Sequence, residues 1–285
     1  MSALFSSAVY REMARKGRSA RFARLHNIAR LEMNRETRAT VGDAFNSAFG
    51  VLKSVGLRDE YVYRAALTQK ILLGTHSLNT ACVLSEFRTG TCKADVVILN
   101  GTATAYEIKS ERDSITRLAN QMDNYKKVFA KAYVIVGDSH LSGVFDTVSR
   151  EIGIMRLSRR NQISTEREAE DRPDRICPVT VFESLRSAEA QAVLLEMGIS
   201  VPEVPNTRLH GVMRHSFERL KPAELHFAMV KILKRTRNLA PLSALVDQLP
   251  LSLHAAALSI QIRRCEHSRL VKAVNTPLDA AISWN

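Results

Sequence analysis

The stretch from Val83 to Phe129 (VLSEFRTGTCKADVVILNGTATAYEIKSERDSITRLANQMDNYKKVF) gathers the side chains best suited to chemistry: Glu86, Asp95, Glu107, Lys109, Gln121 and Tyr125. Glu107 and Lys109 lie two apart in a β-forming run, so a carboxylate and an ammonium project from one face of one strand. Two carboxylates held close repel, and one becomes harder to ionise unless a cation shares the site. Oxygen donors of this kind suit a hard divalent ion, Mg²⁺ first and Mn²⁺ second. Such an ion lowers the pKa of a bound water and stabilises charge growing on a phosphate. The expected chemistry is phosphodiester hydrolysis, with Asp95 and Glu107 as ligands and Lys109 orienting the water or neutralising the transition state.

Several elements must assemble to bring these groups together. CKADVVILN and TATAYEIKS are rich in β-branched and aromatic residues and are separated by Asn100-Gly101, a strong hairpin signal. Pairing across that turn sets Asp95 opposite the Glu107-Ile108-Lys109 segment, and Glu86 ends the strand that feeds in. A helix is expected from Asp113 to Ala130, with Asp113 or Ser114 as its cap and Ile115, Leu118, Ala119, Met122 and Val128 as its apolar stripe. On a neighbouring face Arg117, Gln121 and Tyr125 follow at i, i+4 and i+8; Arg117 would take a phosphate, while Gln121 and Tyr125 position the substrate or a carboxylate. The helix YVYRAALTQKILL, opened by Asp59 or Glu60, precedes the strands. AYVIVG (residues 132–137) reads as a buried strand, followed by a helix around residues 141–152 and a short strand, Gly153–Leu157. The whole order is an α/β core.

These residues resemble the PD-(D/E)XK nuclease superfamily. Asp95 corresponds to the motif aspartate, Glu107-Ile108-Lys109 to the (D/E)-x-K, Glu86 to an additional upstream acid, and Gln121 to Tyr125 to the Q-x-x-x-Y helix of the RecB-like branch. Glu60 is a second upstream candidate, placed behind Glu86 because it sits at a helix start. GTCKADVV, YEIKS, DSITRLANQ and VIVGDSH in that order look like a group of bacterial and phage-borne nuclease-like proteins. The resemblance covers about residues 60–157, and Ala94 stands where the motif proline is expected. It implies a restriction-endonuclease-like core (αβββαβ, a central mixed sheet flanked by helices) with helical N- and C-terminal additions. It also implies metal ligation by Asp95, Glu107, the Ile108 carbonyl and Glu86, and substrate contact by Gln121 and Tyr125.

The formal charge of +12 is unevenly spread: residues 1–60 hold 11 Lys and Arg against 6 Asp and Glu, residues 221–285 hold 9 against 4, and the middle 21 against 19. Basic excess is the footprint of a polyanion partner. Arg11, Arg15, Lys16, Arg18, Arg21, Arg24 and Arg30 alternate with Met13, Phe22, Leu25, Ile28, Leu31 and Met33 in a helical pattern interrupted near Gly17-Arg18-Ser19; Phe45 and Phe49 suggest a further helix. The expected organisation is a basic helical region (1–58), the nuclease core (59–157), a linker with a peripheral helix over residues 185–197 (158–220), and a helical C-terminal region (221–285). The last would contain ELHFAMVKILKRTRN, LSALVDQL and LHAAALSIQIRRCEH as three helices.

Cys82, Cys92, Cys177 and Cys265 form no C-x-x-C pair, which indicates neither a zinc site nor a disulfide framework. No apolar run reaches transmembrane length and no secretory signal is evident, so a cytoplasmic protein without a membrane partner is expected. The sequence favours a nuclease, phage- or defence-associated, acting on DNA before RNA, with a homo-oligomer or an activating protein as a candidate gate. Its alternative is a silent or partner-activated nucleic-acid-binding or regulatory protein on the same fold; a third reading, within the enzyme class, is an RNA or tRNA nuclease.

Overall fold

In the computed structural model the chain divides into two units, Met1–Thr75 with Leu239–Asn285 and, between them in sequence, His76–Asn238. Residues 1–29, 39–54, 56–75, 77–201 and 203–285 are described; Arg30, Leu31 and Met33 of the N-terminal pattern and Pro202 lie outside them. Among the described residues no helix is long and apolar enough to cross a membrane.

The helical unit begins with α1 (Ser7–Lys16), capped by the Ser6 hydroxyl and stopped at Gly17, whose φ of 70° is the left-handed turn a glycine makes cheaply. α2 (Ala20–Ala29) follows. α3 (Val41–Leu52) opens with a reciprocal Thr40/Asp43 capping box, and α4 (Glu60–Leu67) is capped by Asp59. A π-helical segment, Thr68–Leu72, connects α4 to a last turn, α5 (Leu73–Thr75). Phe5 stacks on Tyr61 at 4.5 Å and meets Phe45 and Phe49 edge-on or tilted, while Phe22 packs on Phe45. These rings make the apolar centre of the unit.

The second unit is an open six-stranded sheet in sequence order, β1 (Cys82–Thr89), β2 (Cys92–Asn100), β3 (Thr102–Lys109), β4 (Lys131–Val136), β5 (Gly153–Leu157) and β6 (Ile163–Arg167). β1, β2 and β3 form an antiparallel meander, β4 and β5 run parallel to β3, and β6 returns antiparallel. The β2–β3 turn uses Asn100 and Gly101, the latter at φ 71°. β4 is buried along nearly its whole length, as its unbroken apolar run requires. Between strands come α6 (Leu118–Tyr125) and α7 (Leu141–Thr147). Then follow α8 (Pro178–Ser184), α9 (Ser187–Glu196), α10 (Asn206–Glu218) and α11 (Pro222–Thr236). α11 packs against β2 and β3.

The chain then re-enters the helical unit with α12 (Ser243–Val246), α13 (His254–Ser259), α14 (His267–Val274) and α15 (Leu278–Ala281). The Val41 amide donates to the Thr276 carbonyl at 3.0 Å and the Leu278 amide to Ala39 at 2.8 Å, tying the two ends of the chain together.

The mixed α/β sheet with helices and the helical terminal regions match the expected class, and four local expectations need correction. α6 is shorter than Asp113–Ala130, because the Asp113 carboxylate is spent on the Ser110 amide and hydroxyl (2.8 and 2.7 Å), closing a turn directly after β3. β6 lies inside the segment read as linker; its polar, half-exposed residues suit an edge strand, and Asn161 at φ 57° makes the turn from β5. α10, mostly polar with Met213 and Phe217 buried, is a further helix in the same segment. LHAAALSIQIRRCEH breaks after Ser259, where Ile260 is extended, and helix resumes only after the Glu266 carboxylate accepts the Arg263 amide at 2.8 Å. The unit boundaries also fall elsewhere than the sequence regions: α4 belongs with the terminal helices and α11 with the sheet.

Candidate active site

Asp95, Glu107 and Lys109 converge where β2 and β3 lie side by side. The Ile108 amide donates to Asp95 Oδ2 at 2.8 Å. This follows from the register, in which Val96 pairs with Tyr106 and the next positions along are Asp95 and Glu107.

Glu107 is only 2 % exposed and Lys109 6 %. Glu107 Oε1 accepts from Lys109 Nζ at 2.7 Å and from Gln121 Nε2 at 2.5 Å, while Lys109 also donates to Gln121 Oε1 at 2.9 Å. The Gln121 amide thus bridges the ion pair, its oxygen toward the cation and its nitrogen toward the anion. On the other side, the Tyr125 hydroxyl contacts Glu107 Oε2 and lies 2.7 Å from the Lys93 carbonyl. Burial, reinforced by the negative charges of Glu107 and Asp95, pushes the Tyr125 phenol well up, so it remains a donor. One helical turn separates Gln121 from Tyr125, which is why α6 can close on both oxygens of the same carboxylate. A buried carboxylate needs such partners to remain compatible with the interior.

Glu86 occupies an uncommon backbone position. Its φ is 54°, the left-handed region that non-glycine residues rarely adopt. β1 pairs Ser85 with Val96 and Phe87 with Ala94, so Glu86 stands across from Asp95. Carboxylate oxygens of the two lie within 4.8 Å of each other, and Lys93 Nζ is 3.9 Å from Glu86. Local strain of this kind is found most often where a side chain must be aimed.

Six of the sequence-derived residues therefore meet: Glu86, Asp95, Glu107, Lys109, Gln121 and Tyr125. Arg117 does not join them; it is exposed at the N-cap of α6. The contact made by Ile108 to the cluster is through its amide, to Asp95. Glu60 lies in the other unit, in the first turn of α4 and ion-paired with Arg64. The Lys93 carbonyl and the Asp113 turn are additional supports that carry no sequence signal, since any residue supplies a carbonyl and Asp113 reads equally well as a helix cap.

The donor set fits a hard divalent cation. Glu86 and Asp95 bring carboxylate oxygens within 4.8 Å of each other, hard donors of the kind such an ion takes, and neither is fully buried. Glu107 differs, because both of its oxygens already have protein donors. Its geometry is that of a locked partner to Lys109, and ligation would require Lys109 or Gln121 to release Oε1.

Comparison with known proteins adds a family. The model of the family described as bacteriophage P4 protein cII matches residues 53–240, about two thirds of the chain. Protein cII of Enterobacteria phage P4 is 35% identical over 69 residues, 24% of this chain and 26% of that protein, so the match spans about a quarter of the curated relative's length. Among solved structures, a protein of unknown function from Silicibacter pomeroyi aligns over 52% of this chain and 100% of its own, with a TM-score of 0.33 and 17% identity.

Proposed function

The chain belongs to the bacteriophage P4 protein cII family; from the geometry of its site we propose that it is a metal-dependent nuclease hydrolysing phosphodiester bonds of nucleic acid, DNA in preference to RNA. One observation carries the reading: Asp95, Glu107 and Lys109 meet on adjacent strands with the Asp95 carboxylate fixed by the Ile108 amide. The PD-(D/E)XK resemblance of the same residues supports it.

Asp95 and Glu86 would hold Mg²⁺ or Mn²⁺. When bound, the ion supplies Lewis-acid stabilisation of phosphate charge and a water of lowered pKa. The Lys109 ammonium would orient an attacking water or offset charge on the phosphate oxygens. Glu107 holds Lys109 in place, and Gln121 and Tyr125 hold Glu107. Arg117, exposed one turn ahead of Gln121, is available to a substrate phosphate.

A second reading is favoured by the saturation of Glu107. A carboxylate whose oxygens are all taken describes a resting site that a partner or substrate must open, or a binding protein that no longer cuts.

Cleavage of labelled duplex, single-stranded and branched DNA and of structured RNA by wild type, Asp95→Asn and Lys109→Ala tests both, with Mg²⁺, Mn²⁺ or EDTA present. Metal-dependent cutting lost in both folded variants supports the nuclease. Equal cutting by wild type and either variant rejects the assignment, and binding without cutting under every condition selects the second reading.

A further inference from the structure

The basic excess belongs chiefly to the helical unit: residues 1–75 and 239–285 hold 17 Lys and Arg against 9 Asp and Glu, whereas residues 76–238 hold 24 against 20. Within that unit the two chain ends form one surface. α1 and α14 pack together, and the Arg269 guanidinium donates to the Arg15 carbonyl at 2.8 Å.

The buried stripes of the two helices are Val9, Tyr10, Met13 and Ala14 on α1 and Leu270, Ala273 and Val274 on α14. Outward from that seam stand Arg11 and Arg15 at i and i+4, and Arg269 and Lys272 at i and i+3, all exposed. No carboxylate among the described residues forms an ion pair with any of these four. α14 (HSRLVKAV) contains no acidic residue. α1 has only Glu12, which is taken by Lys16 at 3.1 Å and by the Ser19 hydroxyl at 2.8 Å.

An ordinary solvated face intersperses both signs of charge. The negative end of the α1 dipole accounts for Arg15 and for the capping Arg269. It does not account for Arg11, a turn earlier, whereas Lys272 stands in the last turn of α14 and is favoured by that helix's own dipole.

We propose that the α1–α14 seam is a docking surface for the phosphate backbone of duplex DNA, with Arg11, Arg15, Arg269 and Lys272 as its phosphate contacts. Charge complementarity names a polyphosphate. Helical cations with no exposed aromatic side chain on α1 or α14 favour the duplex, because single strands are held largely by stacking on aromatic rings. The proposal deepens the nucleic-acid reading of the sheet unit but does not require that unit to cleave.

Binding of the full chain to a fluorescein-labelled duplex of 30 base pairs, followed by anisotropy in EDTA across a salt series, tests it independently of catalysis. Arg11→Gln/Arg15→Gln/Lys272→Gln leaves the Arg269 contact to the Arg15 carbonyl in place, and circular dichroism checks that it folds. The expected result is a slope of log K against log salt shallower by about 2–3, since each phosphate contact contributes about 0.9, with affinity lowered at least tenfold near physiological salt. Arg11→Lys/Arg15→Lys should keep the wild-type slope. Wild type that does not bind duplex, a triple variant with unchanged slope, or an equal loss on neutralising Arg208, Arg219 and Arg235 of the sheet unit would each overturn the surface. So would tighter binding to a single strand than to the duplex. Loss of cleavage in Lys109→Ala with binding intact leaves the surface standing.

Discussion

The Ile108 amide and the Asp95 carboxylate are joined across the β2–β3 pair at 2.8 Å, which fixes that carboxylate by main chain. Asp95→Asn retains an oxygen that accepts this amide, and Asp95→Ala leaves the half-buried donor without it. Urea unfolding should place the alanine variant about 1 kcal/mol below the asparagine variant, while both lose cleavage. Equal stabilities would mean that the hydrogen bond contributes nothing to the fold.

Tyr125 gives its hydroxyl to the most buried charge in the site. Tyr125→Phe removes the partner of Glu107 Oε2 without changing the ring packing on Phe129. The expected cost is about 1–3 kcal/mol, the range for leaving a buried acceptor unmet. An unaltered thermal midpoint would show that water or the neighbouring amides replace the phenol.

His226 of α11 links stability to pH. The Ala103 amide donates to its Nε2 at 3.3 Å, so that nitrogen is an acceptor and the ring is neutral. Burial lowers its pKa to about 4 from the ordinary 6.5. Between those values the unfolded chain binds the proton that the folded one refuses. The contribution is therefore complete above pH 6.5 and is lost as pH falls toward 4, on the order of 3 kcal/mol in full. Urea midpoints measured from pH 7 to 4.5 should fall less steeply in His226→Gln than in wild type, and parallel curves would refute the assignment.

Glu189, 3 % exposed, receives Arg237 Nε at 2.7 Å and Nη2 at 2.8 Å, with the Arg186 amide at 2.9 Å. Burial alone pushes this carboxyl up, but the hydrogen bonds from Arg237 and Arg186 outweigh it and hold the pKa below its ordinary value. Arg237→Ala strands a buried charge and should cost about 3–5 kcal/mol, much of it recovered when Glu189→Ala is added. A double-mutant cycle with additive losses would exclude coupling between the two.

Much of the sheet was legible because local signals agreed: Asn100-Gly101 fixed the hairpin, alternation put Glu107 and Lys109 on one face, and the apolar run of β4 marked it as buried. Three features were hidden for identifiable reasons. β6 is an edge strand, so its residues need not be apolar, and its composition is that of a loop. That Gln121 and Tyr125 would position a carboxylate was legible, but that both grip Glu107, one on each oxygen, depends on how α6 packs on the sheet, which spacing within the helix does not specify. The pairing of α1 with α14 joins residues more than 250 apart, far beyond any local pattern, although their basic character was visible separately.

The helical unit is interrupted in sequence by the whole of the sheet unit, and this sets an order of assembly on the ribosome. Residues 1–75 emerge before the sheet but without α14, against which α1 and α3 pack, or α15, which also packs on α3. Residues 76–238 are contiguous and can complete their core as soon as they are clear of the tunnel. Residues 239–285, made after the sheet, then close the unit that residues 1–75 began, so a chain arrested before residue 239 would carry a finished sheet and an unfinished set of helices for a chaperone to shield.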